Sequence, residues 1–379
     1  MRLITAGESH GKALIAVIEG LPSHLKIDVE KINGALALRQ SGFGRGARQK
    51  IETDRVEILT GVRNGETLGS PLTLCIYNKD FENWKTCMSD GVCDEAQMQA
   101  KRLTRVRPGH ADLTGMIKYG QEDARNILER ASARETAIRV AAGEIYRQYL
   151  ATLGVEIGGY VKEVCGIKDE GRYSFNELSK AKTTGLGMID DEAERKAEEK
   201  IAQLKQEGDT AGGVVEIRVK GLKSGFGSVM SYAEKLDAQL AGALMSIQAI
   251  KGVEIGEGFA VGEKSGREIH DEIFYEENKG YYRETNRAGG IEGGMSNGEE
   301  LVLKVAMKPI PTLMKGLQTV DYLSKESAVA ASERSDVCAI FALEIIAEAV
   351  VAEVLANAVN KRLGGDTISE IQSRYRTLP

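Results

Sequence analysis

One long apolar segment constrains the fold of this chain more than any other feature of its sequence. The segment covers residues 338–359, and its middle carries the glutamates Glu344, Glu348 and Glu353. Three carboxylates are costly inside a lipid bilayer, so a membrane span is not expected here. The segment therefore predicts a helix buried inside a soluble protein.

The other segments predict an α+β fold. Strand-like runs and helical runs follow each other without the regular βαβ alternation of a doubly wound sheet. Strands are predicted over 2–6, 13–20, 212–222 and 300–308, and helices over 26–39, 111–127, 131–150, 190–207 and 232–249. Asp28 is expected to cap the first helix, and the highly charged helix 190–207 is expected to lie in solvent. Because no repeat, linker or shift of composition marks a boundary, residues 1–379 are treated as a single domain.

The composition argues against several classes of protein. The chain has 50 basic and 56 acidic residues and a net charge of −6, which disfavours a general nucleic-acid binder. Its five cysteines form no C-x-x-C motif, so neither a structural zinc site nor a disulfide framework is expected, and we infer a reducing cytoplasm. The N-terminus lacks the pattern of a secretory signal. With 43 glycines and only 6 prolines, the chain is expected to make tight turns within a folded body.

Two histidines lie in segments that suit chemistry. His10 is flanked by a serine, a glutamate and two glycines, so a ligand could approach its loop closely, and an imidazole there is a candidate proton donor. The alternative is a turn histidine bonded to the backbone. His110 follows a Pro-Gly turn and precedes a helix, where Arg107 and the helix N-terminus would favour an anion. The alternative is a histidine that only packs beside the helix start.

Arginines cluster in two segments. Arg39, Arg45 and Arg48 are separated by glycines, and guanidinium groups bind phosphate through two hydrogen bonds, although the Walker A pattern is absent. Arg130 and Arg134 stand four residues apart and would share one face of a continuous helix. Such a pair favours an anion, unless the neighbouring acids at 129 and 135 compensate it.

Two further segments combine glycine or proline with charge. Residues 286–298 hold five glycines, which indicates a close approach of the backbone to a planar or anionic group, although a dinucleotide-binding fingerprint is absent. Residues 308–312 form a stiff, extended segment with a lysine and a threonine. Asp336 precedes the long apolar helix, where it is either the N-cap or a catalytic base.

Taken together and in order, these segments resemble the chorismate synthase family. The resemblance runs from residue 3 to about residue 365 and is carried by eight stretches: GESHG, SGFGRGAR, RPGHADLTG, ERASARETAIRVAAG, MSIQAIKGVEIG, NRAGGIEGGMSNG, KPIPTL and ERSDVC. It implies an enzyme that converts 5-enolpyruvylshikimate 3-phosphate to chorismate and phosphate, with reduced FMN and no net redox change. It also implies a homotetramer built on antiparallel sheets sandwiched between helices, a β-α-β sandwich.

The resemblance assigns roles to individual residues. His10 corresponds to a proton donor near the departing phosphate, His110 to a group at the pyrimidine edge of the flavin, and Asp336 to a group near flavin N5. The residues that would clamp the substrate anions are Arg39, Arg45, Arg48, Arg107 and Arg134. The residues that would contact the flavin are Arg130, Ala131, Ser132, Gln248, Ala249, Gly293, Lys308, Pro309, Ile310, Pro311, Thr312 and Arg334, and Arg39 and Arg45 are also linked to NADP.

Two other functions remain open at this point. The chain could be a flavin reductase or another NADPH-linked oxidoreductase, or a carrier of flavin or anions without catalysis. The lyase hypothesis places the basic side chains in one cavity and expects His10 and His110 to open into it.

Overall fold

The computed structural model describes residues 1–46, 53–331 and 335–379. Its strands pair in antiparallel sheets. The strands are β1 (Arg2–Ala6), β2 (Ala13–Glu19), β3 (Glu57–Thr60), β4 (Val62–Arg63), β5 (Glu66–Thr67), β6 (Leu72–Tyr77), β7 (Glu156–Val164), β8 (Ile167–Lys168), β9 (Gly213–Lys220), β10 (Ile250–Ile255), β11 (Ile273–Glu276), β12 (Gly280–Arg283), β13 (Ile291–Glu292), β14 (Met295–Ser296), β15 (Leu301–Met307), β16 (Gln318–Val320) and β17 (Ser327–Val329). A four-stranded sheet has the order β1-β2-β6-β3, and a five-stranded sheet has the order β10-β15-β9-β7-β8. All pairs within both sheets are antiparallel.

The helices range from one turn to more than six turns in length. They are α1 (Val29–Gln40), α2 (Lys85–Met88), α3 (Glu95–Lys101), α4 (Asp112–Tyr119), α5 (Arg125–Ala131), α6 (Thr136–Ala151), α7 (Asp191–Glu207), α8 (Leu236–Met245), α9 (Gly266–Ile269), α10 (Ile340–Leu363) and α11 (Ile368–Arg376). Segments of 3-10 helix lie at Lys79–Asn83, Ala133–Glu135, Phe175–Thr183, Tyr232–Glu234 and Gly258–Glu263.

The two sheets enclose a central layer of helices. Helix α6 packs on β2 and β6 of the four-stranded sheet, α10 packs on β7 and β9 of the five-stranded sheet, and the two helices pack on each other. Helix α10 is buried on every face, as its sequence predicts, and both Glu344 and Glu348 are fully buried within it. The α+β class with antiparallel sheets and the β-α-β order are therefore confirmed, but the helices form the inner layer and the sheets lie outside them, which reverses the expected placement of sheets between helices. Within the described ranges, none of the helices has the length and apolar character needed to cross a bilayer.

Most predicted elements are present. The strands near 2–20, 212–222 and 300–308 form within a residue or two of their expected bounds, and Asp28 caps α1 by accepting from the backbone N–H groups of Glu30 and Lys31. Helix α7 is only partly in solvent, because one stripe of Ala193, Ala197, Ile201 and Leu204 is buried.

The long helices predicted over 111–127 and 131–150 are wrong in detail. Helix α4 ends at Gly120, which has a left-handed φ of 63°, and α5 begins only at Arg125. Ser132 then adopts an extended conformation and bonds through its Oγ to the N–H of Arg134, so that α6 starts at Thr136. A glycine C-cap and a serine N-cap are the ordinary local causes of such breaks. Arg130 and Arg134 consequently lie on different segments and not on one helix face.

Candidate active site

His10 lies in the tight turn between β1 and β2. Gly7 in this turn has a φ of +112°, and a Cβ there would stand 2.3 Å from the carbonyl oxygen of Ala13, so the turn requires glycine. The turn is fastened to α5, because the N–H of Ser9 donates to the carbonyl of Glu129 at 2.9 Å and the N–H of His10 donates to the Glu129 carboxylate at 2.8 Å. The imidazole Nδ1 also lies 2.9 Å from that carboxylate. The ring of His10 is therefore bonded to a carboxylate and not to the backbone, as the alternative interpretation would require.

The ring of His10 stacks on a tryptophan that sequence reasoning missed. The centroids of His10 and Trp84 are 4.1 Å apart with an interplanar angle of 24°. The indole N–H of Trp84 donates to Asp80, and the same Asp80 oxygen lies 3.9 Å from His10 Nε2. The Lys101 ammonium stands 3.5 Å from the indole centroid, an attractive cation–π geometry. The only signal in the sequence was that Trp84 is the single tryptophan of the chain.

A buried arginine cluster adjoins the His10 turn. Arg134 binds both oxygens of Asp54 at 2.6 and 2.7 Å, and its Nε donates to the side-chain oxygen of Asn78 at 3.0 Å. The amide of Asn78 in turn donates to the carbonyls of Glu8 and Gly11 in the histidine turn. The arginine cluster and His10 therefore form one hydrogen-bonded unit at this end of the four-stranded sheet.

Arg39 belongs to the same cluster. Its guanidinium donates to the hydroxyl of Thr136 and to the carbonyl of Ala133, and it lies 3.9 Å from Asp54. Burial, together with the charges of Arg134 and Arg45, lowers the pKa of Arg39 to about 9, although the carboxylates nearby act in the opposite direction. The cluster therefore holds more positive charge than its acids balance, which favours an anion.

Asp336 does not cap the long helix. The N-cap of α10 is Ala339, and no side chain bonds at that position. The carboxylate of Asp336 instead accepts from the N–H of Gly46 at 2.6 Å and pairs with Arg45 at 3.2 Å. The Nε of Arg45 is buried and has no partner among the described residues. The capping alternative is wrong, and Asp336 joins the edge of the arginine cluster.

His110 lies in a second cluster at the start of α4. Arg107 donates to both oxygens of Asp112 at 2.8 and 3.0 Å and to the Thr312 hydroxyl at 3.1 Å. The Nδ1 of His110 lies 2.5 Å from the Asp112 carboxylate. Burial alone would raise the pKa of Asp112, but hydrogen bonds and charge from His110 and Arg107 hold it well below its usual range. His110 is thus bonded to a carboxylate that also pairs with Arg107, so the alternative of a histidine that only packs beside the helix start is wrong.

Predicted flavin contacts converge on one end of the five-stranded sheet. Ala249, with a left-handed φ of 70°, accepts through its carbonyl from the N–H of Lys308 at 3.0 Å. The Lys308 ammonium donates to the carbonyl of Gly109, beside His110. The remaining members of the segment, Pro309, Ile310, Pro311 and Thr312, follow directly after β15.

A cavity of about 360 Å³ is lined by residues of β1, α5, α6 and α10 and by the segment between α8 and β10. Its lining includes two residues expected to contact the flavin, Arg130 and Gln248. Gln248 donates to Glu135 at 3.4 Å, while its side-chain oxygen is buried without a partner among the residues described. Arg130 lies 3.8 Å from Glu135, one of the two acids named from the sequence. Glu135 therefore compensates the charge of Arg130.

Some predicted residues lie elsewhere. Gly293 forms the turn of the β13–β14 hairpin, which packs on the start of α8, and Ala131 and Ser132 end α5. Arg48 and Arg334 lie outside the described residues. Helices α4 and α5 pack together. Helix α4 begins with Asp112 of the His110 cluster, and Glu129 of the His10 cluster lies near the end of α5, so the two helices connect the two clusters. That both imidazoles open into one cavity stays a prediction.

Fold and site together define a class of protein: an α+β protein with carboxylate-bound histidines beside buried arginines that favour an anion. A family model described as chorismate synthase matches residues 1–359. The chain is 50% identical over 382 residues to a chorismate synthase of Caldicellulosiruptor bescii, covering 100% of this chain and 99% of that protein. It is 52% identical over 386 residues to the chorismate synthase of Geobacter sulfurreducens, covering 99% and 97%.

A solved structure agrees with these relatives. The fold matches a crystal structure of chorismate synthase with a TM-score of 0.79 and 37% sequence identity, covering 99% of this chain and 96% of that one. The chain belongs to the chorismate synthase family. This is a family of carbon–oxygen lyases that act on phosphates, in the shikimate pathway of aromatic amino acid biosynthesis.

Proposed function

We propose that this chain eliminates phosphate from 5-enolpyruvylshikimate 3-phosphate to form chorismate, by an anti-1,4-elimination that requires bound reduced FMN. The observation that carries the proposal is the buried arginine cluster, in which the pKa of Arg39 falls to about 9 and the Nε of Arg45 has no described partner. Such a cluster is complementary to an anion. Family membership identifies the substrate class as an ester with one phosphate and two carboxylates.

The substrate clamp is assigned to five arginines. Arg39 and Arg134 are already held by Thr136, Asn78 and Asp54, so they would meet the substrate with little loss of conformational freedom. The other members of the proposed clamp are Arg45, Arg48 and Arg107. Arg107 is bound to Asp112 and Thr312, so these contacts would already orient it before the substrate binds.

Proton movement is assigned to three side chains. During elimination the C–O bond to phosphate breaks with its electron pair, and a C–H bond on the opposite side of the diene is lost as a proton. His10 would donate a proton to the departing phosphate, which neutralises charge as it develops. His110 would balance the charge of the reduced cofactor, and Asp336 would help the cofactor to receive the proton lost from carbon.

The residues present fit a bound flavin. The buried side-chain oxygen of Gln248 requires a hydrogen-bond donor, and the open cavity beside it also exposes Arg130. When bound, reduced FMN supplies an electron-rich ring that stabilises the electron-poor transition state without net oxidation. The proposed contacts are those named from the sequence: Arg130, Ala131, Ser132, Gln248, Ala249, Gly293, Arg334 and residues 308–312. NADPH, through Arg39 and Arg45, remains a possible source of electrons for the flavin.

We also propose that residues 1–379 act as one unit within a homotetramer. One hydrophobic core runs from Leu14 in β2 to Tyr375 in α11, which supports a single unit. The outer face of the four-stranded sheet exposes Ile4, Ile15 and Tyr77, which suits burial against another copy.

The deciding experiment is an anaerobic turnover assay. The purified chain is mixed with the phosphate ester and photoreduced FMN, and phosphate and chorismate are measured together. We expect both products in equal amounts, and none when FMN stays oxidised. Absence of both products with reduced FMN, from protein that is folded, contradicts the proposal.

Two further arms of this assay separate the other readings. Steady NADPH consumption with oxidised FMN, in the absence of the ester, supports a flavin reductase. A carrier without catalysis predicts that His10→Ala and His110→Ala leave FMN binding intact and have no turnover to impair. A loss of turnover in either folded variant excludes the carrier.

A further inference from the structure

We propose that Glu129 is a positioning residue that holds the ring hydrogen of His10 on Nδ1, so that Nε2 is the atom that delivers the proton. His10 contacts the carboxylate of Glu129 three times, once through its backbone N–H and twice through its ring Nδ1. The backbone N–H of the preceding residue, Ser9, donates to the carbonyl of Glu129. The inference rests on the proposed function only for the role of His10 as proton donor.

The tautomer follows from donors and acceptors. An ionised carboxylate can only accept hydrogen bonds, so the Nδ1 that lies 2.9 Å from both oxygens of Glu129 must carry the hydrogen. A neutral His10 therefore has its lone pair on Nε2, and only the imidazolium carries a second hydrogen there. Transfer breaks the Nε2–H bond, forms an O–H bond on the departing phosphate, and returns the ring to its neutral Nδ1–H form.

Glu129 is well suited to stay ionised. Its side chain is 3% exposed, and burial alone would raise its pKa, but the hydrogen bonds from the ring and backbone of His10 and the charge of Arg125 together lower it. A buried carboxylate of this kind favours the cationic form of the imidazole that it contacts. An ionised Glu129 can act only as the acceptor of the hydrogen on Nδ1.

Trp84 fixes the orientation of the ring. The stacking contact at 4.1 Å covers one face of the imidazole, and the bond from the indole N–H to Asp80 anchors the tryptophan. Rotation of the ring by 180°, which would put Cδ2 in the place of Nδ1, must break both the stack and the carboxylate bonds. The geometry therefore keeps Nε2 directed away from Glu129.

The charged groups around the ring come from several elements. Glu129 and Arg125 lie on α5, Asp80 lies on the 3-10 segment, Lys101 ends α3, and Glu8 is on the turn itself. Asp80 stands 3.9 Å from Nε2, whereas Glu129 is in direct contact with Nδ1 at 2.9 Å. Glu129 is thus expected to have the larger effect on the protonation of the ring.

The single tryptophan provides a test that does not depend on turnover. An imidazolium quenches indole fluorescence more strongly than a neutral imidazole does, so the emission of Trp84 reports the protonation of the ring stacked on it. In cofactor-free protein we expect the emission to rise with pH in one transition, which His10→Ala abolishes. In Glu129→Gln the transition should move to lower pH by about one unit or more.

Matched variants make the result specific. Glu122→Gln removes a carboxylate that is exposed and pairs with Arg102 at 3.3 Å, away from the histidine, and should leave the transition where it is. Glu129→Asp keeps the charge but shortens the side chain, so it should shift the transition in the same direction by less; it serves as the test if Glu129→Gln does not fold. An unchanged midpoint in the folded Glu129 variant, or no transition in the wild type, overturns the inference. A shifted midpoint in a protein that makes no chorismate would support Glu129 and contradict the proposed function, so the two failures are distinguishable.

Discussion

At the scale of single residues, two carboxylates organise the cations of the site. Asp54 binds Arg134 through both oxygens, and Glu129 binds His10 and Arg125. Arg125 and Glu129 are one helical turn apart, but 80 residues separate Asp54 from Arg134 and 119 separate His10 from Glu129. His10 and the arginines at 39–48 stand out in the sequence because glycines lie among them, whereas Asp54 and Glu129 are single residues in ordinary segments.

Asp54→Asn is expected to destabilise the protein strongly. The side chains of Asp54 and Arg134 are almost fully buried, and Arg39 lies close to the same carboxylate. Removing one partner of a buried pair leaves uncompensated charge, so the free energy of unfolding should fall by about 3–5 kcal/mol. Urea unfolding at neutral pH measures the change. As the control, Glu30→Gln breaks the exposed pair with Arg55 and should cost no more than about 0.5 kcal/mol; equal effects of the two changes would contradict the prediction.

At the scale of elements, the crossing of α6 and α10 sets the centre of the molecule. Two glutamates of α10, one turn apart, are buried where Lys182 and Arg147 reach them from other elements. Burial and the charge of Glu348 raise the pKa of Glu344, whereas Lys182 and Arg147 overcome burial and lower the pKa of Glu348. The two acids therefore have opposite effects on stability although their sequence positions look equivalent.

Glu344→Gln and Glu348→Gln should separate these effects. The pKa of Glu344 is higher in the folded protein than in the unfolded chain, so as pH rises this carboxyl ionises in the unfolded chain first. Its contribution to the free energy of unfolding is therefore lost as pH rises from the ordinary carboxyl pKa to the raised folded pKa. Glu344→Gln removes that loss, so its free energy of unfolding relative to wild type should rise between pH 5 and pH 7, by at most about 1.4 kcal/mol per unit.

Glu348→Gln should instead lower the free energy of unfolding at pH 7 by about 2–3 kcal/mol. It removes the carboxylate that Lys182 and Arg147 share, but Lys182 keeps its contact with Glu344, Arg147 lies 3.7 Å from Glu144, and both cations keep partial access to water, which reduces the cost. Denaturant unfolding of both variants across pH measures the contrast. Identical pH profiles for the two variants would show that the proposed division of charge is wrong.

Gly143→Ala tests the close contact between α6 and α10. A Cβ at Gly143 would stand 2.3 Å from the Cβ of Ala349, so the helices must separate, at a cost of about 1–3 kcal/mol. The control is Gly242→Ala in the interior of α8, where nothing lies within 4 Å of the added atom. Alanine there should stabilise the protein by up to about 1 kcal/mol, because it has the higher helix propensity. Thermal unfolding should thus move in opposite directions; a stabilised Gly143→Ala would refute the close packing.

At the scale of the whole molecule, one sheet face lacks a partner within the described chain. Side chains alternate along β2, so Leu14, Ala16 and Ile18 face the helices while Ile15 faces outward. The strand register places Ile4 and Tyr77 on the same outer face. An apolar sheet face of this kind is what the proposed tetramer would cover.

Ile15→Lys is expected to weaken assembly without unfolding the subunit. Ile15 is 37% exposed, so a lysine can reach water in an isolated chain but would be buried and unpaired between copies. Sedimentation velocity should show a smaller species than wild type, with an unchanged circular dichroism spectrum. Val92→Lys, at a fully exposed position on a loop, should sediment as wild type does. An Ile15→Lys variant of unaltered size would mean that this face is not an interface.

What the sequence determined by itself was local or carried by family motifs. The long apolar segment predicted the buried helix α10, strand-like runs predicted the main strands, Asp28 predicted the start of α1, and the ordered motifs identified the family. These features depend on neighbours within a few residues, or on a pattern that does not need coordinates.

Tertiary structure alone decided which charges meet. It placed Asp54 on Arg134, Glu129 and Trp84 on His10, and Asp336 on Arg45. An ion pair between distant segments forms only where the fold brings them together, and its strength depends on burial that the sequence does not state. The chemistry of the site was therefore visible in the sequence as residue types, and the folded chain assigned each of them its partner.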